Sequence, residues 1–457
     1  MNERPADGAR RGKQTDEGLV AVPDDAFAPR RPSAPARLKV RRTFLAGASL
    51  PAMVVPSRGD LAMNPECLNA SRDLPELRSG SHAGHSVYRM LHCKLNEEGC
   101  PMRDVRAEKS LINNPVDFGK PGRQAGTLRV PADPLTGAAE AIVPIVTIAH
   151  GSGPTVLISG GNHGDEYEGQ LAALRLAHEI EPARVAGRLI IVPVISTQAS
   201  RAHTRLWPSG ENFNRSFPGA PDGRQIERLA HFFTTVLFPA ADIVIDLHSA
   251  GGIGWITPCS HMCVPRDPAQ RKAMLEAMEA WNSDFHFFYT SDGNYLPNEA
   301  ERQGKIVVTT ELGGSSRIPV EVQELAWSGL TNVLRHFGVL EGEVVTRASL
   351  GLRPATLVDC RYDDGKVGSV ASGLFDAIVA PVGGLFEVLL EPGSPVLEGQ
   401  PVGRIWSPED PSRPPRNLLS PVTGYLIGLR TLPAVTQGQS LALIGPEIDR
   451  DTLLANG

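Results

Sequence analysis

The sequence predicts an α/β fold: a mixed, mostly parallel sheet covered by helices on both faces, followed by a C-terminal all-β, barrel-like module. Three observations lead there. Between residues 113 and 345, short apolar runs such as Val156-Leu-Ile158 and Ile243-Val-Ile245 alternate with helix-length amphipathic stretches. Strands and helices in alternation build a parallel sheet buried on both faces. The runs end at turn residues, as at Gly160-Gly161, where glycine tolerates a backbone that other residues avoid. From Leu374 onward the helical period stops, and short β-like runs are divided by Gly and Pro.

Taken in order, residues 127–130 and 142–148 alternate or run apolar and read as opening or edge strands. Residues 156–159 follow as a buried strand, 170–181 as a helix, 188–194 as a strand, 222–238 as a helix and 242–247 as a strand. An amphipathic helix is expected over 268–284 and a strand over 305–310. Residues 319–337 form a long helix whose apolar face is Val322, Leu325, Ala326, Leu330, Val333, Leu334 and Phe337. The second module spans 350–447. Residues 380–405 resemble half of a biotinyl/lipoyl-type barrel and residues 419–427 its matching hairpin, yet no lysine follows Lys366 to carry a swinging arm. The module is therefore expected to be structural, a cap over the active site or a contact in a homo-oligomer.

Residues 1–112 are expected to be disordered or to be an over-long N-terminal extension. Residues 1–35 are rich in Pro, Arg, Asp and Ala with few large apolar side chains, a composition that buries too little surface to offset chain entropy. Arg41-Arg42 before a short apolar stretch resembles a twin-arginine export signal, but Pro51 interrupts the run and no small-x-small cleavage site follows. A start downstream, at Met90 or Met102, and a cytoplasmic protein is the plainer account. Residues 1–50 hold ten Lys/Arg against six Asp/Glu, so of a net charge of −6 the remainder carries −10. An acidic body argues against nucleic acid as a partner, and no apolar run reaches membrane-spanning length. Cys67, Cys93, Cys100, Cys259, Cys263 and Cys360 are scattered through a long chain, unlike a disulfide framework. Cys259-Ser-His-Met-Cys263 reads as thiols in a loop, because no further ligand cluster follows it.

The chemistry concentrates after two strands. His163 and Glu166 stand three residues apart behind the 156–159 strand, so in a turn or helix they face the same way. His248 stands at the end of the 242–247 strand. Two His and one Glu are the ligands of a catalytic zinc site with a fourth position open, and strand ends are where open α/β sheets place their sites.

Gly161-Asn-His-Gly-Asp-Glu166, Asn212-Phe-Asn-Arg-Ser-Phe-Pro218, Asp246-Leu-His248 and Thr310-Glu-Leu-Gly313 together resemble the succinylglutamate desuccinylase/aspartoacylase family over residues 113–446. The longer wording is similar to one branch, the deacetylases of N-alpha-acetyl-L-2,4-diaminobutyrate in ectoine breakdown. The resemblance implies a zinc-carboxypeptidase-like fold, a catalytic domain over 113–345, and one Zn2+ per chain held by His163, Glu166 and His248. The substrate it implies is a small N-acyl amino acid whose amide is hydrolysed. Glu311 matches the family's catalytic glutamate, the base and acid that moves the proton of a metal-activated water. Arg215 matches the arginine that clamps the substrate carboxylate, with Asn214 as its neighbour. Arg205 is expected to stabilise the oxyanion, with Arg201 as its competitor. Asp165 and Glu168 are expected to be solvated or to orient the histidines from behind. Another N-acyl amino acid as substrate, or a peptide cleaved by a zinc carboxypeptidase, stays open, as does oligomeric state.

Overall fold

The computed structural model describes residues 109–133, 137, 139–361 and 377–455. Most of the N-terminal extension, Arg41-Arg42, Cys67, Cys93, Cys100 and Lys366 lie outside the described residues.

Strands β1 (Gly122–Val130) and β2 (Ala141–Ala149) form an antiparallel hairpin, each longer than its apolar alternation alone marks out. Next come β3 (Thr155–Gly160), β4 (Arg188–Val192), β5 (Ile243–His248) and β8 (Ile306–Gly314), which lie in the order β4-β3-β5-β8 and pair in parallel. β3 and β5 are buried at every residue. Their side chains alternate between two cores, as strand geometry requires. Leu157 and Val244 join Ile226, Leu229, Phe232 and Leu296 on one face. Val156, Ile158, Ile245 and Leu247 join the helices on the other.

Those helices are α1 (Tyr167–Glu179) and α6 (Val320–His336). The apolar stripe expected for α6 is the stripe that packs: Val322, Ala326, Leu330, Val333 and Leu334 are buried, with Leu325 and Phe337 half-buried beside them. Helix α4 (Pro268–Glu279) ends earlier than its pattern suggests, because Asn282 adopts a left-handed φ of 63° that a helix cannot contain. Helix α3 (Gln225–Phe232) starts three residues later than expected and widens into a π-helical turn at Phe233–Leu237.

Two strands escape periodicity. β6 (Gly254–Cys263) contains Pro258, which reads as a loop, yet the strand carries a register shift between Ile256 and Cys259. A bulge is where a sheet tolerates a residue without an N–H. β7 (Phe285–Tyr289) is buried throughout, with His286 among four other aromatic side chains, so it shows no alternation. It pairs in parallel with β6 and with β9 (Thr356–Asp359).

The main sheet is mixed rather than mostly parallel. Of its twelve strand pairings, five are parallel and seven antiparallel. The β1–β2 hairpin closes one side, and strands from the C-terminal module extend the other. These are β15 (Gly424–Arg430), β17 (Ser440–Gly445), β10 (Ile378–Val379) and β12 (Pro395–Val396). β15 pairs with β6 through Gly428↔Ile256, Leu429↔Trp255 and Arg430↔Gly254. The other C-terminal strands form a second sheet in the order β14-β13-β11-β16: Arg416–Leu419, Pro401–Trp406, Gly384–Val388 and Ala434–Val435. Among the described residues the C-terminal part is built of β-strands, divided between two sheets. No helix among the described residues is long and apolar enough to cross a membrane.

Residues 1–35 carry few large apolar side chains, a composition that supplies little core, so a protein lacking residues 1–100 is expected to keep its melting temperature and its activity. A truncated protein that aggregates, or loses more than half its activity, would show that the extension supports the fold.

Candidate metal centre

The strand order brings three strand ends to one place. β3, β5 and β8 are adjacent and parallel, and His248 at the end of β5 stands opposite Glu311 of β8 in the register. His163 and Glu166 sit in the turn between β3 and α1, at the carboxyl end of a central strand, where such folds place their sites. The turn is tight enough to need its glycines. Gly161 has a φ of 62°, and a Cβ on Gly164 would meet the Ala199 carbonyl carbon at 2.2 Å. That close approach lets α2 (Thr197–Ala202) press on the loop.

His163, Glu166 and His248 are buried and offer ligand atoms within 4.8 Å of one another. Among the described residues this is the one group of His, Cys, Asp or Glu that converges so. His163 Nδ1 lies 2.7 Å from Glu166 Oε1 and His248 Nδ1 lies 2.8 Å from Glu166 Oε2. The far nitrogens are also taken. Asn212 Oδ1 stands 3.1 Å from His163 Nε2 and must be an acceptor there, because it also accepts the Asn214 amide. Asp246 Oδ2 stands 2.8 Å from His248 Nε2 and accepts as well. Each imidazole thus donates outward through Nε2 and turns Nδ1 toward the Glu166 carboxylate, which can only accept.

Such a face-to-face meeting of acceptors needs either extra protons or a shared cation between them. Burial first, and then the Arg205 guanidinium, lower the His163 pKa to about 4, so that ring is neutral and brings no second proton. For His248 burial pulls downward, but the Asp246 and Glu166 carboxylates outweigh it and hold the imidazole well above its ordinary value. Burial would raise Glu166, yet the two histidines keep it well below the usual carboxylate range. A divalent cation satisfies all three at once, and the donor set of two imidazoles and a carboxylate suits zinc. The outward bonds to Asn212 and Asp246 fix tautomer and ring orientation, the support that ligating histidines ordinarily receive.

Asp165 and Glu168 do not touch the histidines. Asp165 accepts the Gly252 amide at 2.8 Å and Glu168 the Ser249 hydroxyl at 2.7 Å, so both brace the loop after β5. Asp246 does the orienting instead. Its signal was present in the sequence: residues two apart on a strand share a face, and Asp246 stands two before His248.

A cavity of about 500 Å³ opens over the centre. Glu311 lines it, 5% exposed, with Oε2 lacking a hydrogen-bond partner among the described residues. Burial, reinforced by the Glu166 charge, pushes the Glu311 carboxyl up to about 8. Arg205 lines the cavity too and donates from Nη1 to Glu166 Oε1 at 2.7 Å. Its competitor Arg201 is exposed on α2 and does not line the cavity. Arg215 stacks over the Tyr295 ring at 4.2 Å and keeps part of its guanidinium for a ligand, with Nη1 donating to the Asn214 carbonyl. Asn214 lines the same wall, its side-chain oxygen accepting the Leu296 amide.

Two lining residues are illegible in the sequence. Arg430 arrives from β15, carried in by the Arg430↔Gly254 pairing. His261 lies between Cys259 and Cys263 in the segment read as a loop. Both thiols are buried and free, and burial pushes Cys263 up to about 12, so they are inert. His261 is 7% exposed, with neither ring nitrogen hydrogen-bonded among the described residues. Leaving such a group unsatisfied costs about 1–3 kcal/mol.

The sequence profile of the succinylglutamate desuccinylase/aspartoacylase catalytic domain matches residues 152–337. The N-alpha-acetyl-L-2,4-diaminobutyric acid deacetylase of Halomonas elongata is 35% identical over 344 residues, covering 74% of this chain and 96% of that protein. A crystal structure of a succinylglutamate desuccinylase/aspartoacylase from Rhodobacter sphaeroides superposes with a TM-score of 0.67 at 36% identity, over 74% of this chain and 100% of that one. The product-bound ectoine utilization protein EutE (DoeB) from Ruegeria pomeroyi gives a TM-score of 0.67 at 31% identity, over 74% and 99%. A relative matched along almost its whole length settles the kinship: this chain belongs to the succinylglutamate desuccinylase/aspartoacylase family.

Proposed function

We propose that this protein is a zinc-dependent deacylase of small N-acyl amino acids, and that its substrate is N-alpha-acetyl-L-2,4-diaminobutyrate. The observation that carries the reading is the meeting of His163, Glu166 and His248 within 4.8 Å beneath a cavity whose wall holds the buried carboxylate of Glu311. The deacetylase of Halomonas elongata supplies the choice of substrate. His163, Glu166 and His248 would hold one Zn2+, which when bound polarises an amide carbonyl and makes water acidic enough to attack at neutral pH.

The remaining work falls to the chain's own side chains. Glu311 takes a proton from the attacking water, and the same proton then goes to the departing amine nitrogen, so the residue ends as it began. Burial helps it hold that proton between the two steps, while a cation nearby opposes the rise in its pKa. Arg215 pairs with the substrate carboxylate, and its stacking on Tyr295 limits the guanidinium's freedom before the ligand arrives. Arg205 places positive charge beside Glu166, where charge develops on the carbonyl oxygen.

The test is zinc analysis of purified protein, with amine release from N-alpha-acetyl-2,4-diaminobutyrate, N-acetylaspartate and N-succinylglutamate measured side by side. The expected result is about one zinc per chain and fastest release from the first. Stoichiometric zinc without amine release from any of them would sink the proposal.

A further inference from the structure

We propose that His261 reads the side chain of the substrate's amino acid, accepting a hydrogen bond from an amino group there. The inference rests on the deacylase reading and adds the residue that selects among its substrates.

The cavity floor is one face of the sheet. His248 stands opposite Glu311, Thr309 opposite His261, and His261 opposite Phe287 in the registers of β5, β8, β6 and β7. The floor therefore runs from a metal ligand, past Glu311, to His261 and an aromatic wall. The His261 ring stacks on Phe287, with centroids 4.6 Å apart and planes at 12°, and tilts against Tyr289 at 5.5 Å. Its orientation is thus fixed by packing and not by a hydrogen bond. A buried imidazole held by stacking alone, with both nitrogens unpaired and a cavity in front of it, is completed by a ligand.

An N-acyl amino acid has three parts to place around its amide. Its carboxylate suits Arg215, and an acetyl methyl needs no hydrogen bond, which leaves the side chain for His261. Charge selects the kind of side chain. Glu311 stands beside His261, with Oε1 3.9 Å from Nε2. Arg205 is bonded to Glu166, and Arg430 enters seven residues along β6, at Gly254. Burial lowers the His261 pKa to about 3, so the ring stays neutral and offers a lone pair. A carboxylate side chain would meet the Glu311 carboxylate beside the ring. An ammonium finds an acceptor, an anion and aromatic faces.

The experiment is calorimetric titration of the zinc-loaded protein with free L-2,4-diaminobutyrate and L-2-aminobutyrate, which differ by one amino group. Wild type, His261→Phe and His261→Gln are compared. Wild type is expected to prefer diaminobutyrate by about tenfold or more, the worth of one well-placed buried hydrogen bond. His261→Phe keeps the stack and is expected to erase the preference, while His261→Gln restores an acceptor and part of it, with zinc content unchanged in both. Equal affinities in wild type, a preference that survives His261→Phe, or equal weakening for both ligands would overturn the proposal. Should His261→Phe fail to fold, His261→Met serves in its place. A preference that follows the acyl group instead, seen by comparing N-acetyl with N-succinyl substrates, also overturns it. Absence of amine release from every N-acyl amino acid would defeat the deacylase reading alone, because these titrations need no turnover.

Discussion

Alanine in place of His163 or His248 is expected to strip the protein of zinc and take turnover below detection. Each change removes one of three ligands from a buried centre, and two ligands do not hold zinc against dialysis. The surrounding hydrogen bonds predict a graded series. Asp246→Asn leaves all three ligands but weakens the bond that orients His248, so zinc affinity should fall by about 10–100-fold rather than vanish. Metal content by atomic absorption and amine release, measured on the same samples, check both. Stoichiometric zinc in either alanine variant would show that the ligand assignment is wrong.

Glu311→Gln is the second large effect and differs in kind. Glutamine keeps the shape but cannot accept a proton, so zinc and substrate still bind while kcat falls by about 10² to 10⁴. Arg215→Ala is the control for binding. It removes the guanidinium that faces the carboxylate and should mainly raise KM, with some loss of kcat because the same contact orients the amide. If Glu311→Gln raised only KM, the base would have to be another group. Glu168, which burial lifts to about 7, is turned to Ser249 and away from the cavity lining.

Much of this was readable along the chain. Apolar runs located β3, β5 and β8, and the stripe on α6 named the side chains that pack. Local spacing placed His163 and Glu166 together, since three residues of backbone leave few ways to separate them. The same spacing would have placed Asp246 behind His248. The strands that were lost have broken or mixed patterns: Pro258 interrupts β6, and β7 is five residues long with His286 inside it.

The sequence by itself determined the elements with clean periodicity and the identity of the residues near each strand end, since both depend on neighbours within a few positions. Only the tertiary structure decided which strands lie side by side. Pairing β5 with β8 sets His248 against Glu311, pairing β6 with β8 turns His261 from a loop residue into the cavity wall, and pairing β15 with β6 brings Arg430 to the same cavity. Those contacts join residues tens to more than a hundred positions apart. No local pattern encodes them, because strand order is chosen by which faces of the whole sheet can be buried together.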